Sequence, residues 1–213
     1  MQMVSLVKPR TRTLRMEQAE QTRQRIIAAA TSLFLTRGYA STTLQAIATD
    51  AGVAVETVYS RFRNKANLLA AILEKGIVPA DDGRDIFEQP EIEQVRAAKN
   101  QQEQLKLLAA FSRGILQRTD AAHRILRSAA EVDEHAAELQ NRDAKRRMDG
   151  QRIYIDLLLE NGPLRSGLSP GDAAATYSAL ASPDTYSLLV NTPGWCAERF
   201  EEWLADSLTR LLL

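Results

Sequence analysis

Apolar residues recur along most of the chain at intervals of three and four positions, the spacing that places them on one face of an α-helix. The last segment is the clearest case, because Phe200, Leu204 and Leu208 fall on a single stripe. No segment of the sequence alternates apolar and polar residues at the period of two that a half-buried strand needs. The pattern therefore predicts an all-α fold of about nine to ten helices.

Ordinary start and stop signals divide this pattern into separate helices. Gly38 and Gly52 stand where a helix would end in a left-handed residue, and Pro170 stands at the first position of another helix. The predicted helices cover residues 22–37 with an extension back to about 16, 42–52, 54–62, 65–77, 91–118, 120–140, 144–160, 170–181, 184–190 and 196–212.

A segment rich in acidic residues and bounded by two prolines, 79–90, is the best candidate for a domain boundary. The residues before it would form a flexible basic arm over 1–15 and a first helical domain over 16–78, which includes the start of a linking helix. The remaining helices, over 79–213, would form a second domain.

The net charge of zero hides an asymmetry between the two ends of the chain. Residues 1–65 contain ten Lys or Arg and four Asp or Glu, whereas the remainder contains 17 and 23. A basic N-terminal part and an acidic remainder indicate that the N-terminal part meets a polyanion, although a chance fluctuation would give the same numbers.

Several classes of protein are disfavoured by what the sequence lacks. Cys196 is the single cysteine, which argues against a disulfide scaffold and fits a reducing cytosol. No apolar run is long enough to span a membrane. The two histidines, His123 and His135, are too far apart for one helix face, so we interpret each as a surface residue. We therefore expect neither a metal, nor a cofactor, nor an enzymatic site.

Residues 42–62 have the layout of a helix-turn-helix, in which two short helices are joined by a turn that contains Gly52. Thr42 and Gln45 have the spacing of a capping box at the start of the first helix. Neither helix is long enough to be stable alone, so both must pack against the helix that precedes them. The expected buried residues are Leu44, Ile47, Ala48, Ala51, Val58 and Phe62.

The stretch GYASTTLQAIATDAGVAVETVYSRFRNK, residues 38–65, resembles the DNA-binding signature of the TetR family. That signature reads approximately G-F/Y-x-x-T-S/T-V/L-x-x-I-A-x-x-A-G-V-S-x-x-T-L/V-Y-x-x-F-x-x-K. The resemblance implies a bacterial transcription regulator in the cytoplasm, by default a repressor, that binds a palindromic double-stranded operator as a homodimer and is released by a small molecule. The alternative is a helical adaptor with the same fold that works through protein contacts without DNA.

The resemblance also implies which residues meet DNA. In the family, the positions equivalent to Thr43, Tyr59 and Lys65 contact the phosphate backbone, and residues of the second motif helix contact bases. Free N–H groups at a helix N-terminus favour phosphate, which fits the threonines that begin the first motif helix. The residues expected to contact DNA are Thr42, Thr43, Gln45, Ala54, Val55, Glu56, Thr57, Tyr59, Ser60 and Lys65.

Some of these positions have other interpretations. The family often has Ser or Thr at the position of Ala54. Such a residue would cap the helix with its hydroxyl, and the loss of that cap costs about 1 kcal/mol. Glu56 would either accept a hydrogen bond from a cytosine or favour the positive end of its helix. Tyr59 would otherwise be a core aromatic residue, and Lys65 a solvated charge. The cations of the arm would either enter a minor groove or keep a tail soluble; they are Lys8, Arg10, Arg12 and Arg15.

A dimer interface and a ligand pocket are expected in the second domain. The wide apolar stripe of the last helix, packed with the helix that carries several alanines, would form a four-helix bundle with the partner, as in the family; its alternative role is to complete the core of one chain. The interface residues expected are Ala174, Ala181, Phe200, Trp203, Leu204, Leu208 and Leu211. The pocket walls expected, with core packing as the alternative, are Phe111, Leu126, Tyr154, Leu158 and Tyr177.

Overall fold

A computed structural model describes residues 14–78, 85–192 and 194–213, and every regular element in these ranges is a helix. The all-α prediction is therefore confirmed. The elements are α1 (Leu14–Arg37), α2 (Leu44–Ala51), α3 (Val55–Phe62), α4 (Lys65–Ile77), a 3₁₀ turn (Ile86–Glu88), α5 (Pro90–Ala97), α6 (Gln101–Ala130), α7 (Glu134–Leu159), α8 (Pro170–Leu180), α9 (Pro183–Asn191) and α10 (Ala197–Leu212). The predicted arm lies outside the described residues, except that α1 begins at Leu14.

The chain divides into two compact units, one up to Leu68 and one from Leu69 onward. The division falls inside α4 and not at the segment 79–90 that the sequence suggested. The start of α4 is fastened within the first unit, where Lys65 bonds to Tyr39. Its end packs within the second unit, where Gly76 lies against Thr119.

The first unit is built on α1, against which α2 packs, while α3 packs on α2. Ile26 and Phe34 of α1, Ile47 of α2, and Val58 and Phe62 of α3 are all buried. The inner faces predicted for α2 and α3 are confirmed. Because α2 and α3 are each only eight residues long, this shared core is what holds them in helical form.

The second unit is organised around α6, which packs against α5, α7, α9 and α10. Three predicted helices, 91–118, 120–140 and 144–160, are wrong in their boundaries, because the structure has α5, α6 and α7 instead. The Asn100 side chain accepts a hydrogen bond from Glu103 N at 2.9 Å and starts α6. The helix then continues through Thr119, whose hydroxyl donates to Ile115 O at 2.8 Å. Asp133 caps α7 by accepting from the backbone N–H of His135.

The predicted dimer interface is largely wrong, because five of its seven residues are buried inside one chain. Their side chains complete the core of the second unit and meet no outer surface. These five are Ala174, Ala181, Phe200, Leu204 and Leu208. Trp203 is half-buried and Leu211 is exposed, so only these two remain available to a partner.

Candidate functional site

The first motif helix, α2, has its N-cap one residue later than the sequence suggested. Thr43 is the N-cap, and its hydroxyl oxygen accepts a hydrogen bond from Ala46 N at 3.1 Å. The predicted capping box of Thr42 and Gln45 is therefore wrong. Thr42 is only 1% exposed, and its hydroxyl lies 2.7 Å from Gly38 O, to which it donates. This residue ties the end of α1 to the start of α2 and has no surface left for DNA.

The turn between α2 and α3 requires a left-handed residue. Gly52 has φ 64° and ψ 43°, and its N–H bonds to carbonyls of the last turn of α2. A glycine adopts this conformation without the steric cost that a Cβ would bring. Ala54 follows as the N-cap of α3 and makes no side-chain cap bond, as its methyl side chain predicts.

The outer face of this motif carries most of the residues expected to meet DNA. Tyr59 is 54% exposed, which rules out the alternative that it is a core aromatic residue. Half-buried positions on the same helix are Val55 and Thr57. The exposed residues of the expected set lie on both motif helices and their N-caps. They are Thr43, Gln45, Ala54, Glu56 and Ser60. The motif therefore presents a polar edge with one aromatic hydroxyl, suited to hydrogen bonds with a polyanion.

Two exposed cations at the end of α3, Arg61 and Arg63, were missed among the candidate residues. Arg63 is the C-cap and has φ 65°, an uncommon backbone conformation for a residue other than glycine. The positive charge of residues 1–65 was the sequence signal that could have identified both arginines.

Lys65 begins α4 with its amino group already engaged. The Nζ atom donates to Tyr39 O at 2.7 Å and lies 4.3 Å from the centroid of the Tyr39 ring. A charge placed over an aromatic face is attracted by the ring electrons. Lys65 is therefore not a purely solvated charge, and it joins the start of α4 to the connector between α1 and α2.

A cavity of about 450 Å³ lies within the second unit. Its wall on α6 follows one stripe of residues at helical spacing, from Ser112 to His123. The lining residues are Ile77, Val78, Asp85, Ile86, Phe87, Ser112, Ile115, Leu116, Thr119, His123, Asp143, Arg146, Arg147, Gly150, Gln151, Tyr154 and Ala181. Its size is within the usual range for small-molecule sites.

Of the five residues predicted to line a pocket, only Tyr154 is in the wall. Tyr177 lies one layer behind, with its hydroxyl 2.9 Å from Ser112 Oγ. Phe111, Leu126 and Leu158 do not line the cavity, so those predictions are wrong. Because the sequence placed a helix break at residue 119, the continuous stripe along α6 was not recognised.

One end of the cavity carries a buried ionic cluster. His123 Nε2 lies 3.1 Å from Asp143 Oδ2, and Arg147 also pairs with that carboxylate. Burial raises the pKa of Asp143, but the His123 hydrogen bond and the charges of Arg147 and Arg146 outweigh burial and hold that pKa below its usual value. His123 is buried, so its interpretation as a surface residue was wrong, whereas His135 is exposed as expected.

The remainder of the wall is mostly apolar, with the exposed carboxylate of Asp85 at its edge. Burial raises the pKa of Tyr154, so its phenol stays protonated at neutral pH. Among the described residues, no group of three or more His, Cys, Asp or Glu side chains is placed to hold a metal ion. Nor does any helix within 14–78, 85–192 or 194–213 combine the length and apolar character needed to cross a bilayer.

Comparison with known proteins places this architecture in a family. Residues 26–72 match the family described as bacterial regulatory proteins, tetR family. Among solved structures, the complex of SmeT with triclosan has a TM-score of 0.69 at 24% identity, over 90% of this chain and 91% of that one. NalD of Pseudomonas aeruginosa, secondary repressor of the MexAB-OprM multidrug efflux pump, has a TM-score of 0.64 at 24% identity, over 92% and 98%.

Sequence relatives extend the match well beyond the N-terminal motif. The regulator ArpR of Pseudomonas putida is 29% identical over 195 residues, 84% of this chain and 90% of that protein. The HTH-type transcriptional regulator TtgR, also of Pseudomonas putida, is 30% identical over the same shares of the two chains. A match of this length, together with the helix-turn-helix of α2 and α3, shows that the chain belongs to the TetR family of bacterial DNA-binding transcriptional regulators.

Proposed function

We propose that this chain is a repressor that binds a palindromic operator as a homodimer, and that a small molecule in the cavity of the second unit releases it. The cavity is the observation that carries the proposal, because DNA binding alone does not require a cavity of about 450 Å³ with a polar end. The names of NalD and of SmeT, repressor of the Stenotrophomonas maltophilia efflux pump SmeDEF, make repression the favoured direction of control.

Operator contacts would come from the outer face of α2 and α3. The N-terminus of α2, at Thr43, offers backbone N–H groups to a phosphate, and α3 would enter the major groove with Glu56 and Tyr59 outward. Arg61 and Arg63 would add phosphate contacts. Thr42 leaves the set of DNA contacts because it is buried.

Dimerisation would use the apolar surface that the second unit leaves exposed. Leu188 of α9 is 62% exposed, and Leu211 and Trp203 of α10 are at least partly accessible. Trp203 and Leu211 are the two residues of the predicted set that remain accessible, and Leu188 is added to them. A two-fold pair of chains would present two copies of α3 to two half-sites, which explains why a palindrome is expected.

Operator binding is tested by selecting target sites from random duplex DNA and titrating salt against the recovered sequence. We expect a palindrome occupied by two chains, and an affinity that falls with salt along a log–log slope of several units. A protein with the same fold that acts without DNA would recover no common sequence and show a shallow slope, and either result would overturn the proposal.

Ligand response is tested by blocking the cavity. Ile115→Trp places a larger side chain in the wall, and Gln117→Trp is the matched control at an exposed position of the same helix. In a screen of apolar compounds that release the operator, the Ile115 variant should bind DNA but resist release, while the control responds like the wild type. Release that persists unchanged in the Ile115 variant would show that the effector binds elsewhere.

A further inference from the structure

We infer that the cavity takes an uncharged, largely apolar molecule with an N–H or O–H group that donates a hydrogen bond to the side chain of Gln151. This inference rests on the proposed function, in which the cavity of the second unit holds the effector. It adds the chemical class of that effector and the residue that recognises it.

Gln151 is the residue from which the inference starts. It lies on α7 between Arg147 and Tyr154, which line the cavity on the same face of the helix. The residue is only 6% exposed, and among the described residues its amide oxygen has no hydrogen-bond partner. An acceptor that is removed from water and left unpaired is costly, and a bound donor would remove that cost.

A second buried glutamine shows how an amide with a structural role differs. Gln104 also has an unpaired oxygen, but its Nε2 donates to Leu157 O at 3.0 Å and to Val95 O at 3.4 Å. These bonds fasten α6 to α5 and α7, and Gln104 does not line the cavity. Gln151, by contrast, is a residue of the cavity wall, and within the described part of the chain no hydrogen bond of its amide joins two helices.

The charges around the cavity argue against an ionic ligand. Asp85 lines the cavity but is exposed to water, and its carboxylate accepts a hydrogen bond from a backbone N–H of the 3₁₀ turn at 3.0 Å, so it is not a buried charge that needs a cation. Asp143 already faces His123, Arg147 and Arg146, so its carboxylate does not need a cation from a ligand. Arg147 is bound to that carboxylate, and more than half of the Arg146 side chain is exposed to water. Neither arginine therefore requires an anion from a ligand.

The other lining residues favour an apolar body. The wall contributed by the end of α4, the 3₁₀ turn and α6 is mainly aliphatic and aromatic. Its members include Ile77, Val78, Ile86, Phe87, Ile115 and Leu116. Burial of apolar surface would supply most of the affinity, and the Gln151 bond would select molecules with a donor.

The test uses two probes that differ only in the donor, biphenyl-4-ol and its methyl ether 4-methoxybiphenyl. Their dissociation constants are measured by equilibrium dialysis with the full chain, with Gln151→Met, and with Gln140→Met. Methionine keeps the length of glutamine and lacks the strong acceptor, and Gln140 is an exposed residue of α7 that serves as control. Wild type and control should bind the phenol about tenfold more tightly than the ether, and in Gln151→Met this ratio should fall to about one.

The outcomes separate this inference from the proposed function. If wild type binds both probes equally, or if Gln151→Met keeps the preference for the phenol, the donor-recognition inference is overturned and the cavity remains a ligand site. If neither probe binds, the inference that the cavity takes an uncharged, largely apolar molecule is overturned, while the proposed function is decided separately by the operator selection and the Ile115→Trp variant. Gln151→Met should also unfold at the same temperature as wild type or above it; a marked decrease would mean that the amide has a structural partner, which would also overturn the inference.

Discussion

Lys65 shows how one residue can stabilise the first unit and also be expected to meet DNA. Its amino group bonds to Tyr39 O and lies over the Tyr39 ring. Lys65→Ala removes both interactions, so the free energy of unfolding should fall by about 1–3 kcal/mol. Because the resemblance also places this lysine on a phosphate, affinity should fall similarly for all DNA sequences, and the salt slope should fall by about one unit. Chemical denaturation and fluorescence anisotropy measure the two effects separately.

Lys106→Ala, at an exposed position of α6, is the control for this substitution and should change neither quantity. A fall in stability with an unchanged salt slope would assign Lys65 a purely structural role. Unchanged affinity together with unchanged stability would contradict both assignments.

Asp143 gives the second unit a stability that depends on pH. Its pKa is held below the usual 3.8, so its contribution is fully present above that value and is lost as the pH falls through the lower, folded pKa. Asp143→Asn should reduce the free energy of unfolding at pH 7 by about 3 kcal/mol, because His123 and Arg147 lose a buried partner. The difference in the free energy of unfolding between Asp143→Asn and wild type should become smaller as the pH falls below about 4.

Denaturation series at several pH values measure this effect. Asp149→Asn on the same helix is the control, because Asp149 forms only solvent-exposed pairs with Lys145 and Arg152 and should matter little. If the free energy of unfolding of wild type and of Asp143→Asn differed by the same amount from neutral to acidic pH, the ionic role of Asp143 would be refuted.

At the scale of helices, the sequence predicted α4 completely and failed over α5 to α7. The start of α4 is marked by a break at residue 64 and its end by Pro79, which follows two residues later, and both signals are local in the sequence. The starts of α6 and α7 depend on caps by Asn100 and Asp133, which stand within polar stretches that continue the same helical pattern. A pocket in the second domain was expected, but most of its wall was not predicted for a further reason: the spacing of Phe111 or Tyr154 shows that a residue faces inward, but not whether it meets core or empty space.

The crossing of α4 and α6 is close enough to require a glycine. A Cβ at Gly76 would lie 2.7 Å from Thr119 Cγ2 and 3.3 Å from Arg118 O. Thr119 is buried and its hydroxyl is bonded to Ile115 O, so it has little freedom to move away. Gly76→Ala should therefore lower the free energy of unfolding by about 1–3 kcal/mol, although alanine favours helix, and urea denaturation would measure the change.

Gly150→Ala is the matched comparison, and it should change the free energy of unfolding in the opposite direction. A Cβ there would lie 3.4 Å from Phe87 Cζ, an ordinary contact, and the position is interior to α7. The gain in helix propensity should raise the free energy of unfolding by about 0.5–1 kcal/mol. If both substitutions stabilised the protein, the tight approach of α4 to α6 would be refuted.

At the scale of the whole molecule, α4 is the element that the two units share. Lys65, at its first residue, is bonded within the first unit, while Ile77, at its last, lines the cavity of the second. In the proposed function, a ligand that favours one position of this helix would shift the population of the proposed homodimer between a DNA-binding state and a released state. Because a palindrome is read by two copies of α3 together, the proposed response requires a dimer as well as a filled cavity.

The dimer surface can be tested with two exposed apolar residues that differ in location. Leu188 of α9 lies in the proposed interface, and Val132 lies at the turn between α6 and α7; both are more than half exposed. Leu188→Glu places an unpaired charge in the interface, so sedimentation should show a monomer at micromolar concentration and operator affinity should fall by at least about tenfold. Val132→Glu should remain a dimer with unchanged affinity, since its charge stays in water. If Leu188→Glu sediments as a dimer like wild type, α9 is not the contact, and the surface around Val132 becomes the next to test.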